Sequence, residues 1–149
     1  WPTCTLFRNG AFEATIAGDR VDVATVAGDT LLLVPRREDG EAWEVEPIAA
    51  VAVYTATGTT ARLFSKSRLN CPILGIAPDV AVARRMALYY GVVARVAAAP
   101  EHTRDVLVIA EKLAVELGVA RSGDKIVVVS GRPVGQPGSA NTIVVHTVG

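Results

Sequence analysis

The stretch Ile48-Ala49-Ala50-Val51-Ala52-Val53-Tyr54, followed at once by Thr55-Ala56-Thr57-Gly58-Thr59-Thr60, decides the fold. A short apolar run without strict polar alternation predicts a strand covered on both faces. The hydroxyl-rich turn with a single glycine predicts a strand-to-helix junction, with a helix over residues 60–68. A strand that feeds directly into a helix is the opening move of a βα unit. Everything downstream repeats it.

Residues 72–77 form a second apolar run. Pro78-Asp79 interrupts it, and Asp79 is placed to cap a helix running to about Tyr89. Residues 91–97 predict a third strand. After Pro100 comes a long amphipathic segment, residues 103–117, closed by Gly118 as a C-terminal glycine. Ser122-Gly123-Asp124 turns the chain into the very apolar strand 125–130. A Gly/Pro loop, residues 131–140, leads to a last strand at 142–148. The order is βαβαβαββ. Helical crossovers imply parallel neighbours, whereas the last strand follows a loop and should pair antiparallel at an edge. The expected fold is α/β, a three-layer sandwich built on a mostly parallel five-stranded sheet with an antiparallel edge strand.

Upstream the pattern differs. Residues 1–46 read as short β segments punctuated at Gly10-Ala11, Gly18-Asp19, Gly28-Asp29 and Glu38-Asp39-Gly40. Residues 17–23 and 27–33 echo each other at a ten-residue offset, which suits hairpin strands. The expected division is a β-rich leader or docking arm over 1–46 and an α/β domain over 47–149.

Composition agrees with this reading. Ala and Val supply 46 of the 149 residues, and a chain rich in both a helix former and a strand former suits alternating βα units. The length fits one domain with an appendage, and it is too short for a (β/α)₈ barrel of about 250 residues. Fifteen basic and fifteen acidic residues cancel, so no cationic surface argues for nucleic acid. Cys4 and Cys71 lie far apart without metal-ligand spacing, so neither a disulfide framework nor a metal site is expected. Cys71, before an apolar strand, reads as a small buried residue. No apolar run reaches the ~20 residues of a membrane helix. A reducing, cytoplasmic setting is expected. The alternative is an organelle matrix after removal of a targeting peptide, since the chain begins at Trp1 and reads as processed or trimmed.

In open α/β sheets, ligands bind beyond the carboxyl ends of the strands. Two loops qualify. The first, carrying Thr55, Thr57, Gly58, Thr59 and Thr60, offers hydroxyls and backbone N–H groups at a helix N-terminus, where an anion is favoured. A plain helix cap with spare threonines is the alternative. The second is the 131–141 loop. It offers Gly131, Gly135 and Gly138 for close backbone approach, with Arg132 as a forked cation and Ser139 as a hydroxyl. A bland long turn is the alternative there. If the fourth strand lies beside the first, the two loops meet and form one phosphate pocket. Asp79, Arg84 and Arg85 read as a solvated helix face, His102 as a surface residue and His146 as structural. No nucleophile–base motif emerges, so no catalytic residue is expected.

Several blocks resemble the C-terminal domain of pyruvate kinase. They are the run from Thr57 through Arg68, Cys71-Pro72-Ile73-Leu74-Gly75-Ile76, and Ala83-Arg84-Arg85-Met86-Ala87-Leu88-Tyr89-Tyr90-Gly91-Val92. The stretch Ser122-Gly123-Asp124-Lys125-Ile126-Val127-Val128-Val129-Ser130-Gly131 and the ending from Pro133 to Val148 continue the match. The resemblance covers about residues 48–148 and leaves the leader unmatched. It implies a regulatory domain that contributes to a subunit interface and, in many members, binds a phosphosugar or nucleotide effector. It places the family's phosphate loop on Thr55, Thr57, Gly58, Thr59 and Thr60, and its effector loop on residues 131–139. It also implies that catalysis resides in a barrel and a lid domain. Lys66, Lys112 and Lys125 all fall inside the C-terminal match, so the chain is not expected to be an enzyme on its own. By length, an effector-contacting arginine of the family falls near Val106, with Arg104 close by.

The expected function is therefore a stand-alone module binding a phosphorylated metabolite, with no resident cofactor. One alternative is a non-catalytic accessory subunit of a larger complex. The other is a fragment or trans-acting regulatory subunit of a pyruvate kinase. Homo-oligomer or larger protein assembly are the expected partners, without nucleic acid and without a transmembrane segment.

Overall fold

The computed structural model describes residues 4–8, 11–16, 21–26, 30–35, 48–66, 68–69, 71–131, 134 and 140–149. Twelve elements follow in chain order: β1 (Cys4–Arg8), β2 (Ala11–Ile16), β3 (Val21–Val26), β4 (Thr30–Pro35), β5 (Ala50–Tyr54) and α1 (Thr59–Lys66). Then come β6 (Ile73–Ala77), α2 (Val80–Met86), β7 (Val92–Val96), α3 (Thr103–Glu116), β8 (Lys125–Gly131) and β9 (Ala140–Thr147).

From Ala50 onward the order is the expected βαβαβαββ. β5 pairs in parallel with β6 and with β8, β6 with β7, and β9 pairs antiparallel with β8. The five strands lie in the order β9-β8-β5-β6-β7. The fourth strand does sit beside the first, which is the condition for the two loops to share a sheet edge.

Upstream of β5, four strands pair antiparallel two by two, β1 with β2 and β3 with β4. β3 pairs with β4 as a separate two-stranded sheet. β1 and β2 instead extend the main sheet, because β1 runs parallel to β9 with Leu6 opposite Ile143. The main sheet therefore has seven strands, β2-β1-β9-β8-β5-β6-β7, and β9 is the edge only of its five-stranded part. An unpaired edge exposes a row of N–H and C=O groups. Covering that row is the physical reason for a strand-rich segment to add there.

The central strands β5, β6 and β8 are buried on both faces, as a run such as β5 requires: Ala50, Val51, Ala52 and Val53 are all fully buried, whereas β7 at the far edge is half-buried to exposed. Alternation divides the strand between two cores. Val51 and Val53 join Ile73, Val127, Val129, Ala61 of α1 and Met86 of α2. Ala50, Ala52 and Tyr54 join Leu74, Ile76, Ile126, Val128 and the small-residue stripe Val106, Ala110, Ala114 of α3. The helices thus form the two outer layers. Cys71 is half-buried against the first core.

His146 of β9 is tied to α3. Its Nε2 lies 2.5 Å from Glu111 Oε2, and the Gly149 N–H donates to Glu111 Oε1 at 3.2 Å. The structural reading of His146 fits this contact. The His146 hydrogen bond holds the Glu111 carboxyl below its usual range; desolvation opposes this, and the Gly149 bond adds to it. A carboxyl whose pKa falls on folding stabilises the protein above its unfolded pKa, and that stabilisation is lost as pH falls through the folded value. Glu111→Gln should therefore flatten the acid limb of the stability–pH profile, by about 1 kcal/mol for a pair still partly open to solvent. Urea midpoints taken from neutral pH down through the carboxylate range would check this, and an unchanged acid limb would refute it.

Candidate functional site

The carboxyl ends of β5, β6 and β8 define the site. At β5 the chain enters a turn at Thr55 and begins α1 at Thr59. Thr55 is buried, and its Oγ1 accepts a hydrogen bond from the Gly58 N–H at 3.0 Å. Its hydroxyl therefore shapes the loop from inside. Gly58 adopts φ +82, and a Cβ there would lie 3.1 Å from Met86 Cγ. Only glycine takes that backbone and that packing without strain. Gly58 O then accepts from the Arg62 N–H at 3.0 Å, which starts the helical ladder.

Thr57 and Thr59 are exposed and Thr60 is half-buried. Thr57 Oγ1 donates to Thr59 Oγ1 at 3.0 Å, and the Thr59 N–H reaches Thr57 Oγ1 at 3.4 Å. These are the groups of the loop that an incoming anion would meet.

The sequence places Arg85 on a solvated helix face. It is exposed, but its Nη2 donates to Thr57 O at 3.0 Å, so α2 delivers a guanidinium to the loop. A guanidinium carries five N–H donors, so one bond to a carbonyl does not exhaust it. Nothing in the local sequence around Arg85 marks this role. The contact spans 28 residues and exists because β6 lies beside β5.

The other two helix N-termini are closed by carboxylates. Asp79 Oδ1 accepts from the Ala81 N–H at 2.6 Å and the Val82 N–H at 3.1 Å, as the sequence predicts for an N-cap. At α3, Asp105 Oδ2 accepts from the His102 N–H at 3.2 Å, and His102 is exposed as expected. α1 carries no acidic residue in its first turn, so an anion there meets no like charge.

Of the second loop, Gly131 is described: it is half-buried at the end of β8, where the register with β9 shifts opposite Ala140. Val134 packs half-buried against the α3-side core. Arg132, Gly135, Gly138 and Ser139 lie outside the described residues. Val106, where the length match places a family arginine, is fully buried and therefore supports the core instead of meeting a ligand. Among the described residues there is no cluster of metal-ligating side chains, and no helix is long and apolar enough to cross a membrane.

The family model for the pyruvate kinase alpha/beta domain matches residues 41–146. The chain is 37% identical over 130 residues to pyruvate kinase from Lactococcus lactis subsp. lactis, covering 87% of the chain and 25% of that protein. It is 36% identical over 101 residues to pyruvate kinase from Geobacillus stearothermophilus, covering 68% and 17%. A Cryptosporidium parvum pyruvate kinase solved in complex with ADP superposes with a TM-score of 0.62 at 31% identity, covering 68% and 20%. The chain thus spans a quarter or less of the length of these relatives. The Lactococcus match is too long to fit within residues 48–149, so it reaches back before residue 48.

Proposed function

Because the chain belongs to the family of the pyruvate kinase alpha/beta domain, we propose that it is a regulatory module that binds a phosphorylated metabolite at the 55–60 loop. The observation that carries this reading is the α1 N-terminus. Exposed Thr57 and Thr59 hydroxyls and the Arg85 guanidinium converge there on a turn shaped by Thr55 and Gly58. Backbone N–H groups, hydroxyl donors, a helix dipole and a fixed cation together make up a phosphate receptor. Gly131, Arg132, Gly135, Gly138 and Ser139 complete the pocket in this proposal, because β8 lies beside β5. In this reading the module contributes ligand binding, and phosphoryl transfer lies outside it.

Calorimetry against fructose 1,6-bisphosphate, ribose 5-phosphate, AMP and inorganic phosphate tests the reading. Hydrogen bonds to a charged phosphate are worth about 1.5–3 kcal/mol each. Thr57→Ala combined with Thr59→Ala should therefore weaken binding by roughly a hundredfold or more. Arg85→Ala should weaken every phosphorylated ligand, and the loss should shrink as salt rises. Binding that survives the double threonine variant would place the ligand elsewhere.

A further inference from the structure

Tyr54 ends β5, and Ser130 lies one residue before the end of β8. These strands pair with Val53 opposite Val129, so Tyr54 and Ser130 stand at the next opposed step. Tyr54 belongs to the core beneath α3. Ser130 is two residues on from Val128 of that same core, and alternation puts it on the same face. Thr142 of β9 is the register partner of Ser130, two residues from Val144 of that core. Three hydroxyl side chains thus form a row across β5, β8 and β9, at the end of the sheet where the 55–60 loop begins. They are 5%, 1% and 1% exposed.

Among the described residues, neither Tyr54 OH nor Ser130 Oγ has a hydrogen-bond partner. Native interiors satisfy nearly all of their buried polar groups, with bound water or ligand where protein groups fail. Two orphans on adjacent strands, one residue from a proposed phosphate loop, call for a common explanation. We infer that the Tyr54 and Ser130 hydroxyls receive a hydroxyl-bearing guest, either ordered water or the hydroxyl groups of the phosphorylated ligand bound at the neighbouring loop. The ligand source rests on the functional reading above, whereas the water source does not. A guest hydroxyl both donates and accepts, so it satisfies these groups whichever way their protons turn. Desolvation raises the Tyr54 pKa above its ordinary value, in keeping with a phenol set into the core.

Tyr54→Phe and Ser130→Ala, each in the full chain, test the inference through two readouts: affinity for ribose 5-phosphate and inorganic phosphate, and melting temperature without ligand. If ligand hydroxyls are the guest, ribose 5-phosphate binding weakens about five- to tenfold in each variant while inorganic phosphate binds as in wild type. If water is the guest, both compounds bind as in wild type and each ligand-free variant melts a few degrees lower. Variants that melt at or above the wild-type temperature and bind ribose 5-phosphate unchanged would overturn the inference. A wild-type chain that binds neither compound would sink the functional reading alone, and the melting comparison would still decide whether the hydroxyls hold a guest.

Discussion

Met86→Ala should lower the unfolding free energy by about 2–5 kcal/mol, the range for emptying a fully buried long side chain. Met86 is fully buried in the core beneath α1 and α2. It also occupies space that two glycines leave open. A Cβ at Gly75 of β6 would lie 3.2 Å from Met86 Sδ, and one at Gly58 would lie 3.1 Å from Met86 Cγ. One flexible thioether thus fills the gap between a strand and the candidate loop, the kind of irregular space that suits methionine. Its removal leaves a cavity that neither glycine can fill. The loop should lose its support as well, so phosphate affinity should fall alongside stability. Urea denaturation measures the first effect and calorimetry the second. A stability loss under about 1 kcal/mol would mean that the site collapses easily, contrary to the packing described.

Gly58→Val should be comparably damaging, by about 2–5 kcal/mol, through two separable causes. The first is the backbone: φ +82 is a conformation that a β-branched residue resists. The second is overpacking against Met86 Cγ and Val82 Cγ1, the latter 3.5 Å from an added Cβ. A double-mutant cycle with Met86→Ala separates them. Removing the methionine makes room for the valine, so the pair should cost less than the sum of the single variants. The backbone strain remains, so the loop should still bind phosphate poorly. Strict additivity would show that the packing clash plays no part. A Gly58→Val protein with wild-type phosphate affinity would remove this loop from the proposed site.

The α/β pattern was legible because its signals are local. Asp79 caps α2, Gly118 follows the last turn of α3, and β5, β6 and β8 are apolar runs buried on both faces, as read. The loop from Thr55 to Thr60 was legible for the same reason, since a strand, a hydroxyl-rich turn and a helix follow one another in sequence. Three details shifted. α2 ends at Met86, short of the reading to about Tyr89, because the chain tightens there into turns in which the Leu88 N–H donates to Arg85 O at 3.2 Å and the Tyr89 N–H to Met86 O at 3.0 Å. α1 begins at Thr59 and ends at Lys66, a little ahead of the 60–68 reading, because Thr57 Oγ1 and the Gly58 carbonyl already organise its first turn. β9 pairs antiparallel with β8 as expected, yet it also receives β1, because the order of strands from a separate antiparallel pair is a non-local property.

Arg85 shows most clearly where sequence reading stops. As one of two adjacent arginines on a short helix, it carries no mark that separates it from Arg84. Only the placement of β6 beside β5 brings it to Thr57 O. The same holds for Tyr54 and Ser130, 76 residues apart in the chain and adjacent in the sheet. The sequence alone determined the alternation of strands and helices, the parallel core of the sheet, the threonine loop and the kinship with the pyruvate kinase alpha/beta domain. Each of these depends on spacing within one segment or on the order of segments. Tertiary structure alone decided which side chains from different segments share the mouth of that loop and which hydroxyls lie buried beneath α3. Those depend on strand order and register, which arise when the whole sheet buries its two faces at once.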